Sequence, residues 1–194
     1  MSNAFSLPPN LPEPIDDGAC DHLTGMRIPP ISLPSTAGRI VNLGEQKAKR
    51  VAIYCYPMTG VPGRALPAGW DIIPGARGCT PQSCGFRDHF QELSVLQTDI
   101  FGLSTQTTDY QREAVERLQL PFEVLSDAQF QFREALGLPT FEVEGMRLVK
   151  RLTLVVRNGA IEKVFYPVFP PDRNAEKVIR WLRVNPIASA PDRL

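Results

Sequence analysis

Short apolar runs rich in β-branched and aromatic residues alternate along the chain with segments whose apolar residues repeat at helical spacing. Residues 51–56 form such a run and are followed by Pro57, a pattern typical of a buried strand. Residues 80–97 are a predicted helix that places four apolar side chains on one face: Phe86, Phe90, Leu93 and Leu96. Further strands are predicted at residues 99–104, 122–125, 152–156 and 161–166, weak edge strands at 27–33 and 39–43, and further helices at 110–118, 130–136 and 175–183.

The order of these elements predicts the fold class. Strand, helix, strand, helix, strand, then a hairpin and a final helix describe an α/β domain with a mixed central β-sheet flanked by helices. This order is thioredoxin-like, with extra elements between the second and third core strands. We expect one such domain at residues 25–186, with a Pro-rich N-terminal arm at residues 1–24 and a C-terminal tail at residues 187–194.

Composition and charge narrow the range of partners. Hydrophobic residues make up 43% of the chain, which is ordinary for a globular protein. Lys plus Arg and Asp plus Glu both number 21, and this balance favours neither nucleic acid nor an anionic membrane as a partner. No apolar run approaches the roughly 18 residues of a transmembrane helix. Because no secretory signal is evident either, we expect a cytoplasmic protein.

Two of the four cysteines, Cys79 and Cys84, are close together in the sequence. Cys79 follows Gly78 at a junction between a loop and a predicted helix, where unpaired amide groups and the helix dipole favour negative charge. We therefore expect a reactive thiolate at Cys79. Cys20 and Cys55 are expected to be dispensable, since Cys55 lies inside an apolar strand and Cys20 lies in the arm.

The spacing of Cys79 and Cys84 constrains what the pair can do. On an intact helix, residues five apart have Cα atoms roughly 8–9 Å apart, whereas a disulfide needs about 4.4–6.8 Å. A bond between them therefore requires the first turns of the helix to unwind, which Gly85 makes easier. A buried core cysteine is the alternative interpretation of Cys84.

Two other functions could use Cys79 and Cys84: metal binding and Cys–His hydrolysis. A metal site could take His89 as a third ligand, but the three side chains fall on diverging faces of one helix and no fourth ligand is apparent. A Cys–His hydrolase would need a histidine near Cys79, and His89 lies roughly 15 Å away along the predicted helix. We therefore expect no metal and a surface position for His89.

Several motifs in the right order resemble the Q-type peroxiredoxins, also called bacterioferritin-comigratory proteins. They are Tyr56-Pro57, Gly78-Cys79-Thr80 and Cys84-Gly85-Phe86-Arg87-Asp88, with further matches at residues 101–104, 125–127 and 151–154. The resemblance implies that Cys79 is the peroxidatic cysteine, Cys84 the resolving cysteine, and Arg151 the arginine that holds the thiolate and the peroxide oxygens. Gln82 occupies a position where the family often has Glu, so its link to Arg151 is expected to be polar.

One departure from the family is an insertion. The family places Pro about seven positions before the cysteine, whereas Pro57 lies 22 positions before Cys79, so about 15 residues are inserted. Ala76 stands where the family has a threonine, and Thr59 is our candidate for the missing hydroxyl. The inserted loop, residues 60–78, could cover the site or serve as a docking surface, and an elongated loop is the simplest interpretation.

The resemblance implies a peroxidase that reduces hydrogen peroxide or small organic hydroperoxides. Thioredoxin or a similar dithiol would recycle it, as a monomer or homodimer, with no cofactor. Two alternatives stay open on the same fold: a thiol–disulfide oxidoreductase, which the four-residue spacing disfavours, and a non-enzymatic redox sensor.

Overall fold

The computed structural model describes residues 7–46 and 48–187, so residues 1–6 of the predicted arm and residues 188–194 of the predicted tail lie outside it. Within these ranges the strands are β1 (Ser32–Pro34), β2 (Ile40–Asn42), β3 (Arg50–Cys55), β4 (Thr98–Ser104), β5 (Glu123–Ser126), β6 (Thr140–Val143), β7 (Met146–Val149), β8 (Leu152–Arg157) and β9 (Ala160–Phe165). The helices are α1 (Cys79–Asp88), α2 (Phe90–Val95), α3 (Thr108–Leu118), α4 (Gln131–Leu136) and α5 (Asn174–Val184).

The central sheet has the strand order β5-β4-β3-β8-β9. β3 runs parallel to β4 and antiparallel to β8, so the mixed sheet expected from the sequence is confirmed. Every residue of β3 is buried, because both faces of the sheet are covered. Val51 and Ile53 belong to the core on one face, and Ala52 and Tyr54 to the core on the other.

Helices and the N-terminal arm cover the two faces of the central sheet. On one face α1, α2 and α5 contribute Phe86, Leu93 and Ile179 to the core. On the other face α4 contributes Phe132, and Leu23 of the arm is fully buried beside it. The described part of the arm is therefore packed on the domain. Among the described residues, no helix has the length and apolar character needed to cross a membrane.

The single helix predicted at residues 80–97 is wrong in detail. The structure divides it into α1 and α2 at His89, whose φ of −102° and ψ of 12° lie outside the α-helical region. The second helix ends before Gln97, because that residue adopts a left-handed φ of 56°. Hydrogen bonds from His89 N to Gly85 O and from Leu93 N to His89 O preserve the overall course of the helix, so the apolar face survives the break.

The two predicted edge strands also differ from expectation. β1 and β2 are three residues each and pair with one another in a separate two-stranded sheet. Arg27 makes only an isolated bridge to Ala160 of β9. Pro29 and Pro30 lack amide donors, so the chain between Arg27 and β1 cannot continue a ladder.

A hairpin that the sequence pattern did not indicate lies beside the inserted segment. β6 and β7 pair antiparallel around Glu144 and Gly145, which both have positive φ, at 46° and 75°. Trp70 of the insertion is 4% exposed, and its ring centroid lies 6.0 Å from that of Phe141 in β6. The insertion is therefore a packed part of the domain, stabilised by the hairpin, and more than an elongated loop.

An ion pair with a buried arginine joins β3 to β9 and to the end of α5. Arg50 is 2% exposed, and its Nε and Nη2 each lie 2.8 Å from a carboxylate oxygen of Glu162. Nη1 donates to the carbonyl oxygen of Asn185 at 2.6 Å, and the guanidinium lies over the ring of Trp181. Arg50 lowers the pKa of Glu162, as expected for a bidentate pair.

Replacing the Glu162 carboxylate tests how much its ion pair with Arg50 stabilises the protein. Glu162→Gln should lower the free energy of unfolding at pH 7 by about 1–3 kcal/mol, because it leaves a buried charge without its partner. The folded-state pKa of Glu162 lies below the ordinary value of 4.5, so the pair stabilises the protein above that pH. The difference between wild type and variant should shrink as pH falls below 4.5 and the carboxylate is protonated.

Urea denaturation between pH 3 and pH 7 measures this difference. Glu176→Gln is the matched control, because Glu176 pairs with Arg173 on the surface and its loss should change stability little. Equal effects of the two substitutions at pH 7 would contradict the importance of the buried pair.

Candidate active site

Cys79 is the first residue of α1, and Gly78 precedes it with a left-handed φ of 103°. Residues other than glycine rarely adopt this conformation. A Cβ atom at Gly78 would also collide with Pro171 and Leu7. The junction therefore depends on glycine, and it places the thiol at the end of α1 where amide groups are unpaired.

Arg151 lies between β7 and β8 and brings a positive charge to the Cys79 sulfur. Its Nη2 is 3.2 Å from Cys79 Sγ, and the same nitrogen donates to the carbonyl oxygens of Ala76 at 3.1 Å and Arg77 at 3.2 Å. Nε donates to Gly75 O at 3.3 Å. The side chain is 3% exposed and has no carboxylate at ion-pair distance among the described residues. A buried cation without such a partner attracts negative charge to the sulfur.

A chain of neutral side chains holds Arg151 from the other side. Nη1 of Arg151 donates to Gln82 Oε1. Gln82 Nε2 donates to Asn174 Oδ1 at 2.8 Å, and Thr153 Oγ1 donates to the same oxygen at 2.7 Å. All three side chains are fully buried. Sequence patterns did not indicate a role for Asn174 or Thr153, because no local pattern reports contacts made between distant parts of the chain.

Thr59, the candidate for the missing hydroxyl, is not brought to the sulfur. Its amide donates to Gln106 Oε1 at 3.1 Å and its Oγ1 lies 3.5 Å from the same atom. Its carbonyl oxygen accepts from the Tyr110 hydroxyl at 2.9 Å. Thr59 therefore anchors the start of the insertion on α3. On the loop side, Cys79 Sγ contacts the carbonyl oxygen of Ala76 at 3.6 Å.

Cys84 lies in the middle of α1, 7% exposed, and both its thiol and that of Cys79 are free. Because α1 is continuous from Cys79 to Asp88, the two Cα atoms are roughly 8–9 Å apart, beyond disulfide range. Burial raises the pKa of the Cys84 thiol, and the nearby charge of Arg87 acts in the opposite direction. In this structure the two thiols are therefore too far apart to form a disulfide.

The two remaining cysteines are buried away from this site. Burial raises the pKa of Cys20 to about 12 and raises the pKa of Cys55 as well, so both thiols are poor nucleophiles. His89 is half-buried, with Nδ1 3.0 Å from Glu92 Oε2. Residues 7–46 and 48–187 contain no group of three or more His, Cys, Asp or Glu side chains arranged to hold a metal ion.

The insertion forms one side of a cavity that reaches Cys79. Met58, Trp70 and Thr80 of α1 are among the residues that line this cavity. Arg117 of α3 donates from Nη2 to the carbonyl oxygen of Gly60 at 3.0 Å, which fixes the insertion to the neighbouring helix. Cys79 lines this cavity at the N-terminus of α1, and the buried cation of Arg151 contacts its sulfur. This arrangement is suited to attack on an electrophile whose leaving group becomes negatively charged.

The dependence of the junction before α1 on Gly78 can be measured by substitution. Gly78→Ala should lower the free energy of unfolding by about 1–3 kcal/mol, because it combines a left-handed φ with a collision against Pro171. It should also slow alkylation of Cys79 by iodoacetamide, since the sulfur moves away from Arg151. Gly38→Ala is the matched control: Gly38 has a φ of 77° but open space around it. An equal loss of stability in both variants, with unchanged alkylation, would show that the close approach of Pro171 is unimportant.

Comparison with known proteins places this chain in a family. A family model described as Redoxin matches residues 23–179. Peroxiredoxin Bcp of Escherichia coli K12 is 30% identical over 159 residues, which cover 80% of this chain and 92% of that protein. The chloroplastic peroxiredoxin Q of Sedum lineare is 26% identical over 82% of this chain and 77% of its own length.

Solved structures agree in fold. The peroxidoxin BcpB of Mycobacterium tuberculosis superimposes with a TM-score of 0.69 at 26% identity, covering 86% of this chain and 99% of that one. A PrxQ of Xylella fastidiosa, at 14% identity and a TM-score of 0.68, covers 84% of this chain and 96% of its own and shares the fold. The thioredoxin-like fold expected from the order of elements is confirmed. The chain belongs to the redoxin family, in the group of peroxiredoxin Q and Bcp proteins.

Proposed function

We propose that this protein is a thiol-dependent peroxidase that reduces hydrogen peroxide and small organic hydroperoxides, with Cys79 as its nucleophile. The observation that carries the proposal is the buried Arg151 guanidinium 3.2 Å from the Cys79 sulfur, at the N-terminus of α1. Among the similar structures, a bacterioferritin comigratory protein of Xanthomonas campestris is described by its alkyl peroxide reduction activity.

In the first step the Cys79 thiolate attacks the terminal oxygen of the hydroperoxide. The O–O bond breaks, the sulfur becomes a sulfenic acid, and water or an alcohol leaves after protonation. Arg151 stabilises the thiolate beforehand and the charge that develops on the departing oxygen. Gln82 positions Arg151 through its side-chain oxygen.

In the second step Cys84 resolves the sulfenic acid. Its thiol condenses with the Cys79 sulfenic acid, which releases water and forms a disulfide within the chain. Thioredoxin or a similar dithiol then reduces this bond by thiol–disulfide exchange. We assign both steps to one domain, residues 25–186, acting as a monomer or homodimer. A reducing compartment such as the cytoplasm suits a chain whose four cysteines are free.

Substitution of the cysteines tests the central assignment. Cys79→Ser should abolish peroxide consumption in an assay with a dithiol supply, because a serine hydroxyl is not ionised at neutral pH. Cys20→Ser is the matched control and should retain turnover. Undiminished turnover in Cys79→Ser would remove the basis of the proposal.

The same assay separates the alternatives. A thiol–disulfide oxidoreductase would reduce a model disulfide through Cys79 without consuming peroxide, and a redox sensor would be oxidised once without turning over. Loss of activity in Cys20→Ser would instead transfer the resolving role from Cys84 to Cys20.

The requirement for helix opening gives a second test. Adding peroxide to the reduced protein should increase amide hydrogen exchange across residues 79–90, because a Cys79–Cys84 disulfide cannot form on an intact α1. β8 should stay protected. In Cys84→Ser the sulfenic acid should persist and the helix should stay folded. An oxidised structure with this disulfide and an unbroken α1 would refute the geometric argument.

A further inference from the structure

A second cavity lies beside Arg151, apart from the cavity at Cys79. Its volume is about 370 Å³, within the roughly 300–1,000 Å³ of pockets for organic ligands. Its walls come from the N-terminal arm, the end of the insertion, β6, the junction between β7 and β8, and the segment after β9. In the described part of the chain, the two cavities share no lining residue. This second cavity is therefore a separate site.

The lining of the second cavity is mainly apolar and includes two aromatic rings. Ile15, Ile73 and Val168 supply aliphatic surface, and Phe141 and Tyr166 supply the rings. Ile15 is 85% exposed, so an occupant would cover apolar surface that now contacts water. Aromatic side chains pack favourably against other aromatic rings. The lining therefore suits a molecule that carries an aromatic ring.

The charged groups that line this cavity compensate one another. Lys150 Nζ lies 2.7 Å from Asp17 Oδ2, and the Tyr166 hydroxyl donates to Asp17 Oδ1 at 2.7 Å, which fixes the arm to the domain. Arg151 donates to main-chain carbonyl oxygens and to side chains of the candidate active site. Glu13 is exposed and adds a negative charge. Among the described residues, the cavity therefore offers no cation free to pair with an anionic ligand.

We propose that this cavity is a binding site for an uncharged small molecule that carries an aromatic ring. The ring lies against Phe141 and Tyr166, and Ile15 covers it from the arm. Arg151 lines the cavity and also contacts the Cys79 sulfur, so the occupant lies beside the residue that holds the thiol. Binding here involves no reaction at the sulfur, so it does not depend on the reaction that Cys79 carries out.

Two fluorescent compounds that differ in one charge test the site. Phenylnaphthylamine is uncharged, and anilinonaphthalene sulfonate has the same rings with an added sulfonate. Wild type should bind the uncharged compound about tenfold more tightly, because burying a sulfonate without a cationic partner is costly. Fluorescence titration of the reduced protein gives both dissociation constants. The cavity at Cys79, which Arg64, Arg77 and Arg117 line, should have the opposite preference.

Substitution of Ile15 tests the location. Ile15→Asp should weaken binding of phenylnaphthylamine about tenfold, because it removes apolar surface and adds a charge at the cavity. Ile72→Asp is the matched control: Ile72 is 77% exposed, belongs to the insertion and does not line this cavity. The control should keep the wild-type affinity. Both positions are exposed, so both variants should unfold at the wild-type urea concentration.

Each contrary result overturns the assignment. Tighter binding of the sulfonate would place the compounds at the arginine-lined cavity, and unsaturable binding of phenylnaphthylamine would show that no site exists. An unchanged affinity in Ile15→Asp, or an equal loss in both variants, would remove Ile15 from the site. In wild type, phenylnaphthylamine should shift the amide NMR signals of Ile15, Phe141 and Lys150, and shifts confined to α1 would contradict the location. The peroxidase function is tested separately by Cys79→Ser.

Discussion

The contact between the Arg151 guanidinium and the Cys79 sulfur is the interaction on which the rest of this structure depends. Burying a guanidinium is costly unless hydrogen bonds and negative charge compensate it. Here the compensation comes from the carbonyl oxygens of residues 75–77, from Gln82 and from the sulfur itself. The path of the loop, the start of α1 and the position of the thiol are therefore linked to one buried charge.

The partners of Arg151 in the core are neutral. Gln82, Asn174 and Thr153 form a hydrogen-bonded chain that fixes the arginine without cancelling its charge. A glutamate in place of Gln82 would share that charge, whereas the neutral amide leaves it to the sulfur. Because this chain is fully buried and links α1, β8 and α5, the site is coupled to the core behind it.

The insertion also contributes to the site around Cys79. Its last residues supply carbonyl oxygens to Arg151, and its middle packs Trp70 against the β6–β7 hairpin. The side chains of Arg117 and Tyr110 in α3 hold the start of this segment by donating to the carbonyl oxygens of Gly60 and Thr59. One segment therefore completes the electrostatics at Cys79 and also shapes the cavity in front of it.

The sequence by itself determined the parts of this protein that follow from local spacing. Alternating and helical patterns predicted the central strands, most helices and the mixed sheet, and the glycine before Cys79 marked the junction between the loop and α1. Tertiary structure alone decided the break at His89, the β6–β7 hairpin, the turning of Thr59 toward α3, and the contact of Asn174 with Gln82. The physical reason is that hydrophobic periodicity reports which face of an element is buried but not which partner covers it. Hydrogen bonds between distant residues do not change the hydrophobic pattern of the two sequence segments that contribute them, so that pattern cannot predict them.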